Sequence, residues 1–168
     1  MAWYDDLTFA AGDIPTAATL NKIPSNFATL GPAGDPSTAI AYTSAWTGAS
    51  SDPAIVNGTI VGWYGRVGGL VWVSVKVTAG SSTTFGSGML SLSLPVLPKA
   101  DGQLLNGFIL DSNTGTGYQQ LGRTASAVAN LYHAEADTDG KVNQTTATAP
   151  ITLASGDTIE VNGTYWAY

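Results

Sequence analysis

The stretch Val71-Trp72-Val73-Ser74-Val75-Lys76-Val77-Thr78 decides the fold. Its valines occupy alternate positions, with Ser74 and Lys76 between them and Thr78 after them. Successive side chains of an extended chain point to opposite faces, so this segment reads as a half-buried antiparallel strand with one apolar and one polar side. Trp72 shares the polar side, and a large aromatic there marks a contact surface. Met89-Leu90-Ser91-Leu92-Ser93-Leu94 repeats the period, as does Thr158-Ile159-Glu160-Val161-Asn162 leading into Tyr165-Trp166-Ala167-Tyr168. Further strands are expected at 41–47, 57–66, 104–111, 117–124 and 127–134. Gly68-Gly69 and Asp139-Gly140 read as tight hairpins, and Gly80-Ser81-Ser82 and Gly86-Ser87-Gly88 bracket a loop. No ten-residue segment with a 3.6 period follows residue 38, which argues against a parallel βαβ architecture. The expected fold is all-β, an antiparallel β-sandwich of Greek-key or jelly-roll-like kind over residues 39–168.

Residues 1–38 have another character. Four of the eight prolines (Pro15, Pro24, Pro32, Pro36) lie there, and no alternating run exceeds a few residues. Thr16 can cap a short helical turn through Leu20 and Asn21, and Ser25 a second through Leu30, with Pro24 between them. The segment carries Trp3, Tyr4, Leu7, Phe9, Ile14, Leu20, Ile23, Phe27 and Leu30, too apolar and aromatic for a solvated tail and too short for its own core. It reads as an N-terminal arm that docks on another protein, ending in a linker, GPAGDPST, at 31–38.

Composition narrows the function. The chain has 168 residues, no cysteine, and twelve acidic against six basic side chains, a net charge of −6. One domain of this size buries roughly 68–70% of its unfolded surface without a covalent staple. An acidic balance disfavours a phosphate backbone as partner, so nucleic acid is not expected. The N-terminus carries acids where a secretory signal has a basic region, and no stretch reaches the roughly 18 apolar residues of a membrane helix. The reading is a protein made in a cytoplasm that reaches the exterior by a route other than a secretory signal, assembly into a particle being one such route.

Catalytic and metal chemistry find little to build on. His133 is the lone histidine, so neither a multi-histidine metal site nor a triad with an obvious nucleophile can be assembled around it. Glu135 and Glu160 are the only glutamates, and a glycosidase pair would have to recruit aspartates from turns. Asp137-Thr138-Asp139-Gly140 starts like a calcium loop, but Thr148 stands where such a loop wants a bidentate glutamate, so a hairpin turn is the better reading. The Asn-x-Thr triplets at 57–59, 143–145 and 162–164 read as ordinary turns. No enzyme activity, metal or cofactor is expected.

Two stretches carry a family resemblance. Leu7-Thr8-Phe9-Ala10-Ala11-Gly12-Asp13-Ile14-Pro15-Thr16-Ala17-Ala18-Thr19-Leu20-Asn21 resembles the T-F-x-x-G-(D/E)-x-L-T-A-x-x-L-N pattern that opens many tail and head-fibre proteins of tailed phages, with Pro15 in place of its leucine. Trp46-Thr47-Gly48, Pro53 to Gly68, Thr83 to Gly88 and Leu92-Ser93-Leu94-Pro95 resemble a W-T…N-G-T…T-F-G-S-G…S-L-P pattern of minor tail and virion proteins from phages of actinobacteria. The resemblance implies a non-enzymatic virion structural protein, a capsid decoration, head-fibre or minor tail component. Its arm, through Trp3, Tyr4, Leu7, Phe9, Ile14, Leu20 and Phe27, would hold phage capsid or tail proteins.

Leu153-Ala154-Ser155-Gly156-Asp157-Thr158-Ile159-Glu160-Val161 also resembles the L-x-x-G-D-x-(I/V)-x-V ending of trimeric jelly rolls such as the tumour-necrosis-factor-like domains. In the final run Tyr165 and Ala167 continue the face of Ile159 and Val161, and Trp166 and Tyr168 point the other way. A strand with two apolar faces wants a cover, so Trp72, Trp166 and Tyr168 are expected at a homotrimer interface. The alternative is a receptor- or glycan-binding module at a phage tail tip, with Trp46, Trp63, Trp72 and Trp166 available to stack on the sugars of a host-surface glycan.

Overall fold

The structure, a computed structural model, describes residues 39–135 and 141–168. The residues expected to form the arm, and Asp137 and Asp139 of the acidic turn, lie outside the described residues.

The described chain is all-β and antiparallel. Its strands are β1 (Ile40–Tyr42), β2 (Trp46–Gly48), β3 (Thr59–Val67), β4 (Leu70–Thr78), β5 (Leu90–Ser93), β6 (Leu104–Leu110), β7 (Gly117–Ala125), β8 (Val128–Ala134), β9 (Val142–Gln144) and β10 (Thr158–Trp166). They form one sheet in the order β1-β3-β4-β10-β6-β7-β8-β5-β2, with β9 paired to β8. Within it β6, β7 and β8 are a meander, and β10 returns by a long connection to lie beside β6, the spatial order of a Greek key.

The strands form where the period of two predicts them. Val71, Val73, Val75 and Val77 of β4 are buried, and Ser74 and Lys76 between them are exposed. Burying a valine fully contributes roughly 1.5–3 kcal/mol, so this one face is a large part of the driving force. Ile159, Val161 and Tyr165 of β10 lie in register with Val77, Val75 and Val71. Leu105 and Ile109 of β6, Ala129 and Leu131 of β8, Leu90 and Leu92 of β5, Trp46 of β2, and Leu153 and Ala167 belong to the same core. Gly68-Gly69 joins β3 to β4 as a two-residue hairpin, and Gly68 takes the left-handed φ of 57° that such a turn needs.

Two segments differ from the sequence reading. The strand expected at 41–47 is divided: β1 pairs with β3 and β2 with β5, at opposite ends of the strand order. Thr43-Ser44-Ala45 crosses between them, which is possible only because the sheet curls until its edges meet. Ser44 fixes the crossing: its buried hydroxyl donates to the Ser93 carbonyl at 2.8 Å, and the Ala45 amide donates to Ser93 Oγ at 2.7 Å. The second difference is β9, a three-residue strand with no buried member, too short to show a period. It takes in Asn143 and Gln144, and β10 takes in Asn162 to Thr164, so two of the three Asn-x-Thr triplets expected as turns lie wholly or mostly in strands.

The turn before β10 depends on Asp157, which is only 3% exposed. Its carboxylate accepts from the Ala154 amide at 2.8 Å, the Ser112 amide at 2.9 Å and the Ser112 hydroxyl at 3.1 Å, while Gly156 takes a φ of 89°. The Gly-Asp pair therefore starts β10 and ties it to the chain leaving β6. Asp157→Ala removes the charged acceptor that three donors share and should cost about 1–3 kcal/mol in chemical denaturation, whereas Asp157→Asn keeps one acceptor oxygen and should lose less.

Candidate functional site

The outer face of the sheet is where the expected interface residues fall. Trp166 and Tyr168 are 60% and 69% exposed, and Tyr165 and Ala167, which alternate with them, are buried, as the alternation predicts. Register places Val67 of β3, Leu70 of β4 and Trp166 of β10 in one row across the strands. All three are exposed, and Leu97 and Tyr168 extend the row into an apolar patch at one end of the sheet. An aggregate of exposed apolar side chains of this kind marks an interaction surface.

The backbone beneath this patch is held in place. Gln103 accepts from the Trp166 amide through Oε1 at 2.6 Å and donates to the Trp166 carbonyl through Nε2 at 2.9 Å, imitating a strand partner with one side chain. The Lys99 amide also donates to that carbonyl at 2.8 Å, the Ala167 amide donates to Gly69, and the Arg66 guanidinium donates to the Tyr168 carbonyl. Tyr165 points inward and exchanges hydrogen bonds with the backbone of Val96, its hydroxyl donating to the carbonyl at 2.8 Å. Burial pushes its phenol up to about 12. The segment thus presents its rings from a fixed main chain, and Gln103 and Arg66, which the sequence reading did not single out, do the fixing.

Trp72 is on the same outer face but only half-exposed. It pairs with Gly65 on β3 and Thr164 on β10, and its indole lies across Gly65: a Cβ built there would stand 2.2 Å from Trp72 Nε1. The missing side chain of Gly65 is the seat of the indole. Trp72 and Trp166 therefore share a face, with Trp72 packed onto its own sheet and Trp166 free to meet a partner. Trp46, by contrast, is buried in the core edge-on to Phe85 at 6.1 Å between ring centroids and is out of reach of a glycan.

His133 faces the interior of β8, near a strand end. It is 5% exposed, with Nδ1 3.5 Å from Thr145 Oγ1, which in turn accepts from Gln120 Nε2 at 3.1 Å. Gln120 and Thr145 are fully buried, and Gln120 Oε1 has no partner among the described residues. This is a polar seam within the sheet, closed to substrate. Glu135 lies close enough to favour the charged imidazole slightly, and its carboxylate accepts from Asn143, which pairs with His133. Burial outweighs it and holds the His133 pKa below its ordinary value of 6.5.

The unfolded chain takes up a proton near pH 6.5 that the folded chain refuses, so stability should fall as pH drops through that value and keep falling until the folded imidazole titrates. We expect the denaturation midpoint of the native protein to decline between about pH 7.5 and pH 5, and His133→Leu to flatten that decline. An equal slope in the variant would move the acid sensitivity elsewhere.

Compared with protein-family models, with curated proteins and with solved structures, the chain has no match.

Proposed function

We propose that the chain is a non-enzymatic structural protein of a bacteriophage virion, attached to the particle through residues 1–38 and displaying the curled sheet outward as a capsid decoration, head-fibre or minor tail component. The observation that carries this reading is the division of labour along the chain. The core of the described sheet is drawn from residues 46–167, while the phage-like pattern at 7–21 and the apolar side chains of the 1–38 segment, Trp3, Tyr4, Leu7, Phe9, Ile14, Leu20 and Phe27, precede it. The protein acts at the virion surface after assembly in the host cytoplasm.

The apolar patch at the end of β10 supports the second half of the proposal, self-association as a homotrimer. Val67, Leu70, Trp166 and Tyr168 offer aliphatic and aromatic anchors on a rigid backbone, and cyclic symmetry lets this patch meet a different patch on the next subunit. Trp72, lying on Gly65 beside the patch, would form its margin.

Deleting residues 1–38 should leave a soluble, cooperatively folding β protein that no longer co-sediments with particles, and unfolding of the truncated chain would end the two-part reading. Phe9→Ala, Leu20→Ala and Phe27→Ala should each weaken attachment, by roughly 1.5–3 kcal/mol where the side chain is fully buried on the particle. Light scattering of the intact protein should give a trimer, and Trp166→Ala should weaken assembly by about 2 kcal/mol or more. A stable wild-type monomer would overturn the assembly proposal and leave the attachment proposal standing.

A further inference from the structure

The outer face holds a second surface, away from the apolar end and of different chemistry. Register aligns Trp63 of β3, Ser74 of β4, Asn162 of β10 and Asn106 of β6 in one row perpendicular to the strands. Trp63 is 45% exposed, and the Trp72 indole, lying over Gly65, flanks it along β3. The hydroxyl of Ser74 and the amides of Asn162 and Asn106 are exposed and make no hydrogen bond with the described residues, nor does the hydroxyl of Thr164 in the adjacent row. On the far side of Trp63 is a concave recess of about 250 Å³, its walls including Ala41, Tyr42, Thr43 and Val61.

The charge of this face is equally informative. Its bordering row contains Lys76 and Glu160, and these neutralise each other in an ion pair of 2.6 Å. The ends of that row are the exposed apolar side chains Val61 and Phe108, and between them and the Trp72 row lies an uncharged track of unsatisfied hydroxyl and amide groups beside the Trp63 ring. An anionic ligand would find no free cation in this row, and an apolar segment would bury amides without partners, at a cost of about 1–3 kcal/mol for each such group. A sugar matches both features. Its ring C–H bonds, slightly positive, pack on the negative face of an indole, and its hydroxyls pair with side chains that both donate and accept. Neighbouring strands are roughly 4.8 Å apart, close to the length of one pyranose, so the row can meet successive residues of an extended chain.

We propose that Trp63, Ser74, Asn162 and Asn106 form a binding site for a neutral oligosaccharide that lies across β3, β4, β10 and β6, with Trp63 as the stacking platform and the amides as hydrogen-bonding partners. The site is separate from the apolar end of β10 and does not depend on the virion reading.

The test is titration of the full chain with cellopentaose, maltopentaose and mannopentaose, and with an anionic hyaluronan fragment as the charge control, followed by calorimetry and tryptophan fluorescence. At least one neutral saccharide should bind and change the fluorescence, and hyaluronan should bind more weakly. Trp63→Ala and Asn162→Ala should each weaken binding by about tenfold or more while leaving the thermal melt in place. Either of three results would overturn the proposal: no neutral saccharide binds at millimolar concentration, hyaluronan binds best, or Trp63→Ala binds as the native chain does. A change of oligomeric state in Trp63→Ala without any saccharide effect would assign the face to a second copy instead, and would overturn it as well.

Discussion

The pairing of β10 holds the molecule together. All nine of its residues, Thr158 to Trp166, are in register with Thr78 to Leu70 of β4, and Thr158 to Asn162 are also in register with Leu110 to Asn106 of β6. On one side of β10 is the hairpin of β3 and β4, on the other the meander of β6, β7 and β8. Without β10 these would be two small sheets, each with an open edge and half a core. The constraint also places the outer-face chemistry, because Glu160, Asn162, Thr164 and Trp166 owe their cross-strand neighbours to this register. Such a sheet is dominated by contacts distant in sequence, and loop closure must precede their reward.

Closure of the curl is a second, more local matter. β1 and β2 are separated by three residues yet lie at the two ends of the strand order, so Ser44 and Ser93 act as the clasp. Tyr42 and Tyr64, edge to face at 5.7 Å, pack just inside it. The polar seam of Gln120, His133 and Thr145 is placed elsewhere in the sheet and is buried without a charge. A neutral imidazole is tolerated there as a hydrogen-bonding group, and its protonation is an acid weakness in an interior that is otherwise mainly aliphatic and aromatic.

The alternating period made the strands legible from Thr59 onward, and with them the division of β10 into Tyr165 and Ala167 inside, Trp166 and Tyr168 outside. Fold class followed from the same signal, since nothing after residue 38 competes with it. The break at Thr43-Ser44-Ala45 was not legible, because the bonds that impose it come from Ser93, far along the chain. β9 was missed because three exposed residues carry no pattern. Trp72 was assigned to the correct face, but its packing onto Gly65 required the register of β3 against β4. The same information was needed to line up Trp63 with Ser74, Asn162 and Asn106. Gln103 and Arg66 gave no signal at all: a glutamine in a turn and an arginine in a strand look like ordinary solvated side chains until the strand they fasten is in place.

The seat of Trp72 on Gly65 has a consequence for how this surface can change over time. A side chain at position 65 evicts the indole, and loss of the indole exposes a glycine that then only weakens β3. The two positions therefore constitute a single evolutionary unit, joined across β3 and β4 though separated by a hairpin in the chain. Drift through either intermediate is uphill, so related sequences should retain the glycine with a broad aromatic or exchange both together, giving a paired signal in a region where most exposed positions vary independently.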